Sequence, residues 1–373
     1  MKTNTLYFII LLLAATNLNS QTVTTITEGL FHDGLALDTN GNLYGSDYSG
    51  DSVFKMDVNR NVSTFVSGLN TPNGIAVNSN NEIYICDHES NRIIKYNDNG
   101  DELANYTTTT PAGIKKMPNS DDMLFVGYGN NTINVLTSDG MITQLFSGSP
   151  LNGPAGIAFD DSGTIFIGNF NDRRIYKYDN GMLEYVAQLP SGGISANFLG
   201  FLTYANGFLY ATQLGEHRIY RINPQNIDDF EIFAGSGIGS VDGNVADARF
   251  NLPNGILASP DGATLYVSDA GTKNLRIISD VTLSINEFID ADFSLMLYPN
   301  PSSEILTIKG VLLEQSSFDI AVYDTLGQRI FSESNPFETE AFERNINTSD
   351  WSSGIYTVLI TSDKYRTSKK VVR

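Results

Sequence analysis

Short apolar runs separated by polar turns recur along most of the chain and predict β-strands. Each unit opens with a glycine-led run such as GIAVN or GIAFD, and a turn such as SNNE or DSGT follows. An alternating run such as IYICD or IFIGN comes next, and a third run such as RIIKY or RIYKY closes the unit. Turn-bounded runs of β-branched and aromatic residues are typical of strands. The pattern therefore predicts an all-β fold without helices of useful length.

The units form an internal repeat with a period near forty residues, which indicates a β-propeller with one blade per repeat. The fourth and outermost strand of each blade would be the segment before the next glycine, such as STFVSG. We therefore predict a six-bladed propeller over residues 21–282. Its repeated glycines are Gly34, Gly74, Gly113, Gly156, Gly200 and Gly255.

The two ends of the repeat region complement each other. The sixth unit ends at RIISD without a fourth strand, whereas TVTTITEG at residues 22–29 precedes the first unit and has no blade of its own. Pairing these segments would close the ring and cover two open sheet edges, which otherwise promote aggregation. We predict that residues 22–29 supply the last strand of blade 6.

Two stretches within the repeats resemble a known family. TPNGIAVNSNNEIYICDHESNRIIKY looks like an NHL repeat, and so does EIFAGSGIGSVDGNVADARFNLPNGILASPDGATLYVSD. Over roughly residues 22–282 the chain is similar to the six-bladed SMP-30/gluconolactonase-like propellers. The resemblance implies the fold more strongly than an activity, because propellers carry many functions.

A different pattern begins after Asp280. We interpret residues 283–293 as a linker and residues 294–373 as a small Ig-like antiparallel β-sandwich, because short strands alternate there with LG, NP and SSG turns. The segments YPNP, IAVYDTLGQRI, SSGIYTVLIT and KKVV resemble the type A C-terminal sorting domain of the type IX secretion system. That resemblance implies recognition by the secretion machinery and removal of the tail after export. The alternative is an adhesive module that stays attached.

The composition and the first residues support an exported protein. Lys2 and the apolar run LYFIILLLAA predict a signal peptide over residues 1–20, and the run is short of the ~20 residues of a membrane-spanning helix. We expect no transmembrane segment and a secreted or cell-surface location. The formal charge of -19 without a basic cluster argues against nucleic acid as a partner. The single cysteine, Cys86, lies in an apolar run and is predicted to be a buried thiol.

Candidate functional residues converge on one face, because the first strands of all blades line the axis in the same direction. The residues before the six glycines would form a ring, and the ends of the second strands return to the same face. The ring is predicted to contain Asp33, Asn73, Ala112, Ala155, Leu199 and Asn254, and the strand ends Asp47, Asp87, Tyr128, Asn169, Gln213 and Asp269. Oxygen-bearing side chains cluster on blades 6, 1 and 2, with His32 and His88 beside them. The other half would be apolar, with Tyr128, Phe170 and Phe198 exposed.

The predicted ligand face therefore consists of Asp33, Asp47, Asn73, Asp87, Asn254 and Asp269. Such a face suits binding of an extracellular small molecule, glycan or protein. Aromatic residues at one second-strand position are predicted to form the core between blades instead: Tyr44, Tyr84, Phe125, Phe166, Tyr210 and Tyr266.

The SMP-30/gluconolactonase resemblance implies an alternative, a metal-dependent hydrolase of lactones or esters. Asp33, Asn73 and Asn254 would then hold Ca²⁺ or another divalent cation, which would polarise a carbonyl and activate water. Asp87 or Asp269 would be the candidate general base. The phrase HDGL stands where that family has Glu-Gly-Pro, and the predicted ligands are bunched on one side.

Purely structural roles are the competing interpretation for the same residues. Asn or Asp before Gly commonly caps a tight turn through its side chain. An Asp at the end of a second strand could tie down the next turn or pair with a basic residue such as Arg92. A structural surface protein would need no polarised face at all.

Overall fold

The computed structural model describes residues 21–192, 197–281, 294–324, 329–361 and 366–373. The chain divides into two compact units, Met1–Thr282 and Leu283–Arg373. The predicted signal peptide and linker lie outside the described residues. Within the described ranges, no helix is long and apolar enough to cross a membrane.

The first unit is a six-bladed β-propeller in which the strands of each blade pair antiparallel in sequence order. The chain enters with β1 (Thr22–Thr27). Blade 1 contains β2 (Leu35–Leu37), β3 (Leu43–Ser46), β4 (Val53–Met56) and β5 (Val62–Val66). Blade 2 contains β6 (Pro72–Val77), β7 (Ile83–Asp87), β8 (Arg92–Tyr96) and β9 (Glu102–Thr107). Blade 3 contains β10 (Pro111–Lys116), β11 (Met123–Gly127), β12 (Thr132–Leu136) and β13 (Ile142–Ser147).

The remaining blades follow the same plan. Blade 4 contains β14 (Pro154–Phe159), β15 (Ile165–Asn169), β16 (Arg174–Asp179) and β17 (Met182–Gln188). Blade 5 contains β18 (Leu199–Ala205), β19 (Phe208–Gln213), β20 (Arg218–Ile222) and β21 (Phe230–Ala234). Blade 6 contains β23 (Pro253–Ala258), β24 (Leu265–Asp269) and β25 (Asn274–Ser279), and the short strand β22 (Gly243–Asn244) lies at its outer edge.

The ring closes as predicted. Strand β1 pairs antiparallel with β25, so that Thr22 stands opposite Ser279 and Val23 opposite Ile278. Strand β22 pairs in turn with the outer side of β1. The N-terminal strand therefore completes blade 6, and β2 contacts β23 across the closure.

Close packing between blades explains the repeated glycine. A Cβ atom on Gly34 would lie 2.5 Å from the backbone oxygen of Asn73 in the next blade, a distance that real Cβ atoms do not adopt. Ser46 Oγ donates a hydrogen bond of 2.6 Å to that same carbonyl. The glycine thus admits the neighbouring backbone, and a second-strand hydroxyl holds it in place.

Apolar side chains between neighbouring blades form the core. Tyr44 and Tyr84 are buried there, as predicted, and Cys86 is a fully buried thiol. Phe125 is fully buried in this core, as predicted, but its strand position is a correction. It pairs with Ile114, whereas Tyr84 pairs with Ala76, which lies one step further along its strand. Leu124 therefore takes the position of Tyr84 in blade 3. The alignment by aromatic residues slipped by one position in that blade.

The second unit is an antiparallel sandwich built from one continuous sheet. Its strands are β26 (Ser294–Tyr298), β27 (Ile305–Tyr323), β28 (Arg329–Asn347), β29 (Ile355–Thr361) and β30 (Arg366–Val372). Strands β27 and β28 are longer than the short strands predicted, and β28 runs through Asn335 and Pro336, where an NP turn was predicted. The pairing of the two strands shifts register between Val311 and Phe318. Buried residues from both halves of β27, such as Ile308 and Ile320, belong to one hydrophobic core.

Candidate functional site

A cavity of about 340 Å³ opens on the propeller axis and receives residues from all six blades. Its volume lies in the range of cavities that hold small ligands. The lining residues are His32, Asp33, Tyr48, Asn73, His88, Glu89, Ala112, Tyr128, Ala155, Phe170, Phe201, Leu214, Leu252, Asn254 and Ala270. We call this space the axial cavity.

The predicted ring of pre-glycine residues lies at the axial cavity in five blades, and blade 5 is the exception. Leu199 is fully buried and pairs with Gln213, as Pro72 pairs with Asp87 in blade 2. Gly200 therefore takes the ring position, and Phe201 enters the cavity. The prediction for Leu199 was wrong because the repeated glycine of blade 5 is displaced by one residue.

The polar side of the cavity centres on Asp33, which is only 2% exposed. Asn254 Nδ2 donates a hydrogen bond of 2.6 Å to Asp33 Oδ1. Burial raises the pKa of the Asp33 carboxyl to about 8. Asn73 Oδ1 and His32 Nδ1 are buried, and neither has a hydrogen-bond partner among the described residues. Asn73 and Asn254 lie within strands, and their side chains cap no turn in the hydrogen bonds described, so the capping interpretation is wrong for both.

The predicted cation ligands do not form a suitable donor set for Ca²⁺. Asp33, Asn73 and Asn254 line the cavity, but Asn254 uses its Nδ2 to donate a hydrogen bond to Asp33. Calcium takes six to eight oxygen ligands. At the same level blades 3 and 4 contribute only Ala112 and Ala155. Across the described ranges, no group of three or more His, Cys, Asp or Glu residues is arranged to hold a metal ion.

The predicted second-strand acids do not line the axial cavity. Asp87 is fully buried and accepts hydrogen bonds from the Asn70 backbone N–H at 2.6 Å and from Arg92 Nε at 2.8 Å. The alternative that this acid pairs with Arg92 is therefore confirmed, whereas its backbone contact is to the loop before β6 and not to the turn that follows Asp87.

Asp47 and Asp269 are engaged in a similar way. Lys273 Nζ lies 2.9 and 3.0 Å from the two carboxylate oxygens of Asp47. Asp269 accepts the Asn251 backbone N–H at 2.7 Å, and burial raises its pKa to about 7. The structure thus separates these three acids from Asp33, Asn73 and Asn254, and a catalytic role for Asp87 or Asp269 stays a prediction.

Aromatic rings form an unbroken series beside the cavity, the aromatic arc, which includes His32 of the polar side and of which all members except Phe198 line the cavity. It consists of His32, Tyr48, His88, Tyr128, Phe170 and Phe198, with successive ring centroids 6.1, 6.2, 5.9, 6.0 and 4.4 Å apart. Tyr128 and Phe170 were predicted to be exposed here. Tyr48 and Glu89 were not among the sequence candidates, and both line the cavity.

A shared backbone position places three of the six rings of the arc. His88, Tyr128 and Phe170 each follow the last residue of a second strand. Their backbone N–H groups donate to the loop before the first strand of the same blade, to the carbonyls of Thr71, Thr110 and Gly153 respectively. Tyr128 therefore corresponds to His88 and Phe170, one position later than predicted. Counting residues from the strand end would have revealed this aromatic column.

The buried Asp33 should make folding stability depend on pH. The folded protein holds the Asp33 proton up to about pH 8, whereas the ordinary pKa of an aspartate carboxyl is 3.8. Unfolding therefore releases a proton between these values, and the free energy of unfolding falls as pH rises through that window. We expect Asp33→Asn to stabilise the protein by about 2 kcal/mol at pH 9 and by much less at pH 5. Urea unfolding of both proteins at the two pH values measures this, and an equal difference at both would contradict it.

Comparisons with known proteins agree with the two units. Residues 296–373 match the secretion system C-terminal sorting domain, and residues 69–96 match the NHL repeat. Teneurin-3 of Mus musculus is 37% identical over 89 residues, which cover 20% of this chain and 3% of that protein. The chain thus spans a small fraction of that relative.

Solved propeller structures are similar to most of the chain at low sequence identity. A gluconolactonase from Xanthomonas campestris is 14% identical, with a TM-score of 0.56 over 69% of this chain and 89% of that one. An auxiliary nutrient binding protein from Bacteroides thetaiotaomicron is 20% identical, with a TM-score of 0.54 over 69% and 76%. A PQQ-bound aldose sugar dehydrogenase from Streptomyces coelicolor is 16% identical, with a TM-score of 0.52 over 69% and 98%. At these identities the likeness shows the fold alone.

Proposed function

We propose that this chain binds an extracellular small molecule in the axial cavity. The chain contains a β-propeller with an NHL repeat, and its type IX sorting domain exports it to the cell surface or the medium. A glycan or a peptide end is the alternative occupant of the same space. The sorting domain, residues 294–373 in our division, interacts with the secretion machinery. Its removal after export remains part of the proposal.

The observation that carries the proposal is a cavity with two chemically different sides. One side presents aromatic and aliphatic surface from Tyr128, Phe170 and Phe201. The other side includes Asp33, Asn73 and His32, and the buried Asn73 Oδ1 and His32 Nδ1 atoms have no hydrogen-bond partner among the described residues. Buried polar groups normally find hydrogen-bond partners, and a ligand hydroxyl or amine would supply them.

Lactone hydrolysis with Ca²⁺ or another divalent cation is the second candidate, favoured only by the unpartnered Asn73 oxygen. It would require Asn254 to release Asp33 and turn its oxygen toward the axis. Calcium binding that disappears in Asp33→Ala, together with lactone turnover, would favour this enzyme over a binding protein.

Filling the cavity tests the binding proposal. Ala155 is 6% exposed and lines the cavity, so Ala155→Leu should occupy ligand space without removing a polar group. The matched control is Ala246→Leu, on an exposed loop residue of blade 6. We expect sugars, amino acids or small amines that raise the melting temperature of the parent and of Ala246→Leu to have no effect on Ala155→Leu. Compounds that stabilise all three proteins equally would refute binding in this cavity.

A further inference from the structure

The charged side chains that line the axial cavity, among the described residues, are acidic. They are Asp33 and Glu89, and the lining contains no lysine or arginine. The neighbouring cations are engaged elsewhere, since Lys273 pairs with Asp47 and Arg92 pairs with Asp87. The two histidines of the lining are the remaining titratable bases.

One buried lysine, Lys115, lies outside the axial cavity. Lys115 lines a smaller void that shares Phe201 with the axial cavity, and its Nζ donates to the Leu202 carbonyl at 3.5 Å. The lining of the axial cavity thus offers no Lys or Arg to an anionic ligand, in the part of the chain that is described.

Asp33 lacks a cationic partner of its own. Within the described chain its carboxylate receives one hydrogen bond, the 2.6 Å contact from Asn254, and takes part in no salt bridge. A buried carboxylate without a counter-charge is unfavourable, so this carboxyl keeps its proton up to about pH 8 when the cavity is empty. A positive group bound beside it would favour the ionised form and release that proton. The polar side of the cavity is therefore complementary to a cation.

The aromatic arc indicates which kind of cation. Ring faces attract cations within about 6 Å of their centroids, and weakly hydrated alkylammonium groups are recognised in this way by aromatic cages. A small divalent ion needs six to eight oxygens, which this lining does not supply. Tyr48, Tyr128 and Phe170 instead line the same cavity as Asp33.

We infer that the axial cavity binds a small organic ammonium compound, whose cationic group lies between the Asp33 carboxylate and the faces of the aromatic arc. The inference rests on the proposed function, because it names the class of ligand for that same cavity. The carbon atoms bonded to the ligand nitrogen would contact Tyr48, Tyr128 and Phe170. A hydroxyl or amide elsewhere in the ligand would reach Asn73.

Choline and its neutral isostere 3,3-dimethylbutan-1-ol test the inference, because they differ in charge and hardly in shape. Calorimetry uses the full-length chain with each probe at pH 9, where the Asp33 carboxyl is ionised. We expect choline to bind at least about tenfold more tightly than the alcohol, as one cation–π contact together with one carboxylate would give. Asp33→Asn and Phe170→Leu should each weaken choline several-fold and leave the alcohol nearly unchanged. Phe170→Leu keeps apolar volume while removing the ring face.

The outcomes separate this inference from the proposed function. Equal affinities for the two probes, both abolished by Ala155→Leu, would keep a small-molecule cavity but overturn the ammonium preference. Absence of choline binding would overturn the inference, whereas a sugar or amino acid that still stabilises the parent and fails on Ala155→Leu would leave the proposed function intact. Thermal melts of each variant establish that it is folded, and the comparison of the two probes on the unmodified chain needs no variant.

Discussion

Val23→Asp should destabilise the propeller far more than Thr24→Asp, its neighbour in the same strand. Val23 is 1% exposed in β1 and packs in the core of blade 6, whereas Thr24 faces solvent. Placing a carboxylate at Val23 both removes apolar burial and buries a charge. We expect a loss of about 3 kcal/mol or more in the free energy of unfolding for Val23→Asp. Equilibrium unfolding in urea measures both variants.

The loss should affect the whole ring rather than one edge. Strand β1 pairs with β25 and so joins the N-terminal end of the propeller to its last blade. If it detaches, blades 6 and 1 lose their closure and expose two sheet edges. A Val23→Asp protein that unfolds in a separate early transition, with the other blades unchanged, would contradict cooperative closure.

Ring closure was predictable because it follows from counting strands. The sixth repeat lacks a fourth strand, and the first strand of the chain belongs to no repeat. Pairing the two completes the last blade, and β1 does pair with β25. The blade repeat was also predictable from sequence, because turns rich in Gly, Asn and Asp separate strands of nearly constant length. Local sequence therefore determines the architecture.

The candidate site was predictable in its first-strand residues and not in its second-strand residues. Asp33, Asn73 and Asn254 precede a glycine that must contact the next blade, so that backbone packing fixes their place at the axis. The acids at the second-strand ends have a competing partner in each case, a nearby backbone N–H or a basic side chain. Such local hydrogen bonds form without any axial ligand. From sequence alone, an acid that makes such a bond does not differ from an acid that faces the cavity.

Single-residue slips account for the remaining errors. Leu199 and Phe125 were placed by matching glycine and aromatic residues, and the register of β18 and β11 moves each by one position. In a strand, one step reverses the direction of every side chain. The same slip concealed the aromatic column of His88, Tyr128 and Phe170, which emerges once residues are counted from the strand ends.

Arg276→Met should be one of the most destabilising single substitutions in the propeller. Arg276 is fully buried, lies over the Phe250 ring with 4.7 Å to its centroid, and donates to Asp242 Oδ1 at 2.6 Å and to the Val241 carbonyl at 2.8 Å. It also donates to the Arg249 carbonyl. These contacts fix the long loop before β23 against blade 6. We expect a loss of about 3–5 kcal/mol, because removing one partner of a buried ion pair leaves the other uncompensated.

The uncompensated partner would be Asp269, whose oxygen lies 3.9 Å from the Arg276 guanidinium. Burial already raises the Asp269 pKa to about 7, and Arg276 acts in the opposite direction. Without Arg276 the folded-state pKa should rise further, so that the folded protein retains the proton to higher pH and the loss of stability is larger at pH 8 than at pH 5. Adding Asp269→Asn to Arg276→Met should recover part of the loss at pH 8, because the amide removes the unpaired charge. A loss that is identical at both pH values, and unrelieved in the double variant, would assign the effect to the loop contacts with Asp242 and Val241 instead of to the buried acid.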